Sequence, residues 1–209
     1  MRLIIFGATG TVGKQLVKQA LYKGYNVKAY GRNVFTEGLP EDKNLELVQG
    51  ALFDGGQVLH AVQGCDAVLC ALDGATDGAD KTRSLGIKNI VTQMEKARVK
   101  RIVAVGGIAV LNADENTLLA DTEDYPAEDV AVGKEHEKAY GFLKGSNLDW
   151  TLVCPEEIKT GDPTGEFVTN PDYLPEPNSG SILTGDLALF MLNELNKNEY
   201  VKHRVGIAN

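Results

Sequence analysis

Short apolar runs alternate with longer stretches of helical spacing along the whole chain. Strand-like runs, several rich in β-branched residues, lie at 2–6, 26–30, 45–48, 66–72, 101–105, 149–154 and 205–207. Apolar residues recur at helical spacing over 14–23, 57–62, about 84–98, about 132–144 and 186–195. In the helix from Ser84, the residues Leu85, Ile87, Ile90, Val91 and Met94 approximate one apolar face. The run at 66–72 is continuously apolar after its first residue, as expected of a strand covered by helices on both sides. Strand and helix in alternation predict an α/β fold, a doubly wound parallel sheet of the Rossmann kind. No repeat or linker divides the 209 residues, so one domain spanning 1–209 is expected. Two stretches break the pattern. The first, about 107–130, is acidic and contains Pro126; the second, about 156–181, is rich in Pro and Gly, with a short hairpin expected around 166–169. Both are read as loops on the substrate side.

In such a sheet, ligands sit beyond the carboxyl ends of the strands. The first of those ends is Gly7-Ala8-Thr9-Gly10-Thr11-Val12-Gly13, between a strand and a helix. Gly7 permits a tight turn, Gly10 a close approach of pyrophosphate to the backbone, and Gly13 close packing of helix on sheet. The free amides and the positive end of the helix dipole then face the phosphates. The second strand ends in Gly31-Arg32-Asn33, without the carboxylate that accepts a ribose 2′-hydroxyl in NAD-preferring folds. A guanidinium can instead pair with a 2′-phosphate, so Arg32 directs the expectation to NADP(H) over NAD(H).

Charge and cysteine usage narrow the partners. A formal net charge of -8 argues against a nucleic-acid groove or an anionic membrane surface. No apolar run is long enough to span a bilayer and no secretory leader is visible, which leads us to expect a cytoplasmic protein. The three cysteines, Cys65, Cys70 and Cys154, have no CxxC spacing, so neither a disulfide framework nor a metal site is expected.

The motifs IIFGATGTVG, GYNVKAYGRN, GCDAVLCAL and LKGSNLDWTLVCP resemble those of the atypical short-chain dehydrogenase/reductase group. Within it, the chain is most similar to NAD(P)H-dependent flavin reductase and biliverdin-IXβ reductase proteins, with NmrA-like proteins more distant. The resemblance implies that Gly7, Thr9, Gly10, Thr11 and Val12 hold the pyrophosphate and Arg32 the 2′-phosphate. It sets Leu52 along the adenine, Leu72 and Gly74 near the nicotinamide ribose, and Pro155 beside the nicotinamide. Three departures stand out. Ala51 replaces an aspartate common near the adenine, while Gly107 and Glu157 stand where flavin-reductase relatives carry a serine and a histidine.

Candidate chemistry on the substrate side is sparse. Tyr140 and Lys144 match the YxxxK pair of the main dehydrogenase branch, but they fall at the far end of their helix and read as coincidence. His136 lies at the helix start, where an imidazole could touch the ribose or relay a proton. Its competing reading is an exposed helix residue between Glu135 and Glu137. Glu157 could act as an acid if desolvated, or be a plain charged loop residue. Cys154 reads mainly as strand-end packing, and Tyr125 as a cover for a flat substrate or a loop staple. The leading expectation is hydride transfer to a small flat acceptor such as a flavin, quinone or tetrapyrrole. The alternative is an NmrA-like NADP(H) sensor without turnover.

Overall fold

The computed structural model describes residues 1–75 and 79–209. Strand β1 (Arg2–Phe6) is central and buried from Leu3 onward. It pairs in parallel with β2 (Asn26–Gly31) on one side and β4 (Ala67–Cys70) on the other, so that Phe6 lies level with Tyr30 and Cys70. With β3 (Leu45–Gln49), β5 (Arg101–Val105), β6 (Asp149–Pro155), β8 (Val168–Pro171) and β10 (His203–Ala208), the sheet order is β3-β2-β1-β4-β5-β6-β10-β8. The chain moves outward in one direction from β1 to β3 and in the other from β4 to β6, after which β8 takes the far edge and β10 returns to lie between β6 and β8. The reversal falls between β1 and β4, and there a crevice opens at the strand tips.

Strand residues alternate between two cores. Leu3 and Ile5 face α1 (Thr11–Tyr22) and α5 (Thr184–Lys197). Ile4 and Phe6 face α2 (Gly55–Val62), α3 (Thr82–Ala97) and α4 (Val130–Lys144). Among the described residues, no helix is long and apolar enough to cross a membrane.

Three details differ from the sequence reading. The stretch around 166–169 forms no hairpin; β8 instead pairs antiparallel with β10 and closes the sheet edge. Two three-residue strands, β7 (Glu157–Lys159) and β9 (Ser181–Leu183), pair in parallel across the second excursion, and they are too short to carry a hydrophobic period. Leu85 is 45% exposed, while Arg83, Ser84 and Gly86 of the same turn are buried. α3 turns this polar edge inward because each of the two side chains finds a partner there. The polar, glycine-containing stretch 73–78 also reads as a loop in the sequence; the structure describes it through Ala75, and Thr76, Asp77 and Gly78 lie outside the described residues. The acidic excursion holds two 3-10 turns, Ile108–Val110 and Leu119–Asp121.

Candidate functional site

The turn between β1 and α1 is built by two glycines that tolerate no side chain. Gly7 adopts a φ of 75°, and a Cβ there would lie 2.1 Å from the Ala71 carbonyl oxygen at the tip of β4. A Cβ on Gly13 would lie 2.0 Å from the Gly7 carbonyl oxygen, so the first turn of α1 is pressed directly onto the loop. Gly10 occupies the N-cap. No side chain caps the helix, and its first turn carries no acidic residue. The opening amides of α1 therefore have neither a cap nor a carboxylate to satisfy them, a cradle suited to an anion.

Beside this turn lies a cavity of about 490 Å³, within the range typical of small-molecule sites. Gly10, Thr11 and Val12 form one end; Leu72 and Asp73 follow from the tip of β4, and Gly106 and Gly107 from that of β5. Pro155, Glu156, Glu157 and Ile158 enter from the end of β6 and from β7. Tyr125, Pro126 and Asp129 of the acidic excursion and His136 of α4 complete the wall. Of the residues singled out from the sequence, Gly10, Thr11, Val12, Leu72, Pro155, His136 and Glu157 thus meet in one space. Gly7 shapes the turn beneath them. Thr9 lies in the loop with its methyl toward Gly31. Leu52 packs beside Leu72 over Gly86, where a Cβ would come within 2.7 Å of both leucines. Gly74 accepts a bond from Arg83 at 2.9 Å. Arg32 stands apart from the cavity, exposed at the end of β2, and among the described residues its guanidinium has no ion-pair partner.

His136 is not the exposed helix residue of the competing reading. It is partly buried, and its ring lies over Gly107, so that a Cβ on Gly107 would fall 2.8 Å from Cδ2 and 3.0 Å from Nε2. The imidazole fills the space that a side chain at position 107 would need. Burial, reinforced by the nearby Arg83 guanidinium, lowers its pKa to about 4, against the opposing pull of Asp73 and Glu135. The ring is accordingly neutral near physiological pH.

Two residues in and beside the site escaped the sequence reading. Arg83, 9% exposed, donates to Asp73 Oδ1 at 2.6 Å, to the Gly74 carbonyl at 2.9 Å and to the Ala75 carbonyl at 3.1 Å, tying down the loop after β4. Glu135, 2% exposed, accepts from the Ser84 hydroxyl, from Lys138 Nζ at 2.9 Å and from Lys81 Nζ at 3.1 Å, clamping α4 to α3. Burial alone would raise the Glu135 carboxyl, but Ser84 and the two lysines hold it down to about 2. A carboxylate depressed in this way stabilises the fold above its ordinary pKa, and that contribution drains away as the pH falls toward the lowered value. Glu135→Gln is therefore expected to flatten the loss of stability between roughly pH 5 and pH 2 by about 2 kcal/mol in acid-unfolding measurements, a figure discounted because both lysines are half-exposed.

Tyr140 and Lys144 lie away from the cavity, as expected. The Tyr140 ring packs edge-on against Trp150, with the Arg204 guanidinium 5.1 Å from its centroid. Cys70 and Cys154 are core residues, and burial pushes each thiol up to about 12. Tyr125 bridges the excursion and the cavity. It lines the cavity, and its hydroxyl lies 3.1 Å from the position of a Cβ on Gly133, closing the excursion onto α4. Among the described residues, no His, Cys, Asp and Glu cluster could hold a metal ion.

A sequence model of the NAD(P)H-binding family matches residues 7–198. An uncharacterized chloroplastic protein of Arabidopsis thaliana is 30% identical over 90% of this chain and 70% of its own length. YwnB of Bacillus subtilis, also uncharacterized, is 24% identical over 99% of this chain and 98% of its own. Among solved structures, a Streptococcus pneumoniae protein assigned as an NADH-flavin reductase superposes with a TM-score of 0.84 at 27% identity, covering 100% of this chain and 99% of its own.

Proposed function

The chain belongs to the NAD(P)H-binding family, and from that premise we propose that it is a reductase that prefers NADPH and passes hydride to a flat organic acceptor in the cavity. The observation that carries this reading is the continuity of the uncapped α1 N-terminus with a cavity whose far wall sets apolar residues, among them Ile108, Val132, Pro155 and Ile158, between a few polar groups. The residues fit the dinucleotide. Gly7 and Gly13 leave the cradle free of side chains, the amides of Thr11 and Val12 suit the pyrophosphate, and Arg32 suits a 2′-phosphate. Leu72 and Pro155 would flank the nicotinamide ring, which supplies the hydride when bound.

The chain's own contribution is positioning and polarity. Arg83 holds the 73–75 segment, and with it the edge of the ribose site, against the cavity. His136, neutral and anchored over Gly107, offers an imidazole nitrogen to a polar atom of the acceptor. Pro126 and Tyr125 exclude water from one side. Glu157 is exposed and paired with Lys159 at 3.2 Å, which makes it the weaker of the two catalytic candidates.

The test follows NADPH oxidation in the presence of flavins, quinones and biliverdins, alongside direct titration of NADPH and NADP⁺. Turnover with at least one flat acceptor is expected. Tight nucleotide binding with no turnover would replace this reading with that of a nucleotide sensor. For cofactor choice, Arg32→Ala is expected to reduce the preference for NADPH over NADH by roughly tenfold, the value of a charge-assisted pair at an exposed position. An unchanged ratio of the two dissociation constants would remove Arg32 from the 2′-phosphate site.

A further inference from the structure

The charges around the acceptor end of the cavity narrow the class of acceptor, an inference that rests on the reductase reading above. Four carboxylates line the cavity, Asp73, Asp129, Glu156 and Glu157, against one guanidinium, that of Arg83. Arg83 is occupied locally, bonded to Asp73 and to two backbone carbonyls, so this pair contributes little net charge. Three carboxylates remain. Glu156 accepts from an uncharged amide, Asn178 Nδ2, at 3.2 Å. Glu157 faces Lys159 at 3.2 Å, but both side chains are more than half exposed and water screens the pair. Asp129 sits at the N-cap position of α4 without making a capping bond, and among the described residues it has no ion-pair partner. His136 adds no positive charge near neutral pH. The walls between these groups are apolar, formed by Leu72, Ile108, Val132, Pro155 and Ile158.

We propose that this cavity selects an uncharged flat acceptor and discriminates against acceptors bearing phosphate or carboxylate groups. An anionic substituent entering past Asp129 and Glu156 meets like charges, with no free cation among the described residues that line the cavity to offset them. At separations of several ångströms and partial solvent screening, that repulsion corresponds to roughly a tenfold loss of affinity.

Riboflavin and FMN share one ring system and differ by a phosphate, so they isolate the effect. At saturating NADPH and low salt, kcat/KM is expected to favour riboflavin by roughly tenfold, with the difference in KM, and the preference is expected to shrink as salt is added. The double variant Asp129→Asn/Glu156→Gln narrows the riboflavin-to-FMN ratio, whichever way the absolute rates move. A preference for FMN, or a ratio that neither salt nor the double variant changes, overturns the proposal and leaves the reductase reading intact. If no acceptor is reduced, the reductase reading falls by itself. Equilibrium binding of the two flavins to the NADP⁺-loaded protein then decides the charge preference. Tighter riboflavin binding supports it, equal or tighter FMN binding overturns it, and binding of neither overturns both.

Discussion

Gly10→Asp is expected to lower NADPH affinity by about a hundredfold or more, roughly 3 kcal/mol, in a protein that melts no earlier than the wild type. The two halves of this result come from one position. Gly10 has φ -71° and ψ 171°, extended backbone open to any residue, and a Cβ there would lie 3.4 Å from the Gly7 carbonyl oxygen, a tight but tolerable contact. Aspartate is a favoured N-cap residue, and α1 lacks both a capping side chain and an acidic first turn. The new carboxylate would satisfy the opening amides and so support the helix by a few tenths of a kcal/mol relative to glycine. It would also occupy the place and cancel the field that a pyrophosphate needs. Fluorescence titration with NADPH, paired with a thermal melt, reads both. Unchanged affinity at an unchanged Tm would move the pyrophosphate away from this turn. Gly13→Ala could not serve the same purpose, because its Cβ would collide with backbone and the fold itself would give way.

The second large effect lies away from the cavity, beneath the amino end of β5. Arg101, at the start of that strand, is buried against Glu194 of α5, with Nη2 and Oε1 2.8 Å apart. Glu194 also accepts from the Tyr200 amide at 2.9 Å and the Glu199 amide at 3.2 Å, so one carboxylate serves the strand and the chain leaving the helix. Glu194→Ala leaves a guanidinium buried without its counter-charge and is expected to cost about 3 to 5 kcal/mol. Tm is expected to fall by roughly 6 to 20 °C for a chain of this size, with NADPH affinity at 25 °C unchanged wherever the protein remains folded. Arg101 Nε has no partner among the described residues, so the pair is imperfectly satisfied as it stands. Adding Arg101→Met to Glu194→Ala should recover at least half of the loss. If the double variant is less stable than the single one, the charge is not the source of the cost.

The architecture was legible because each parallel strand is an apolar run and each helix a period. β1, β4 and β5, together with the helices that follow them, lie within a few residues of where the pattern puts them. The glycine turn at one end of the cavity was legible for a different reason: its shape is set by glycines, and glycine marks its own position in a sequence. The acceptor end was not. Arg83 belongs to a helix that the pattern starts two residues too late, and it reaches back to the β4 tip through side-chain bonds that no spacing rule anticipates. Glu135 looks like one more surface glutamate among Glu137 and Lys138 until α3 packs over it and supplies Ser84. The sheet edge was missed because β8 owes its strand character to β10, a partner 30 or more residues away in sequence. Buried polar partners and edge pairing are decided by tertiary packing, and hydrophobic periodicity carries no record of either.

The steric relation between position 107 and the imidazole of α4 gives the glycine a different meaning from a lost functional group. Only one of the two positions can project a side chain into that space, so they behave as alternatives within a single slot. A serine introduced at 107 while His136 keeps its rotamer would drive the ring out; a serine combined with a small residue at 136 would fit. The two positions are thus expected to vary jointly among homologous chains. The polar group that faces the acceptor can then pass from a strand tip to a helix without any change in the backbone around it.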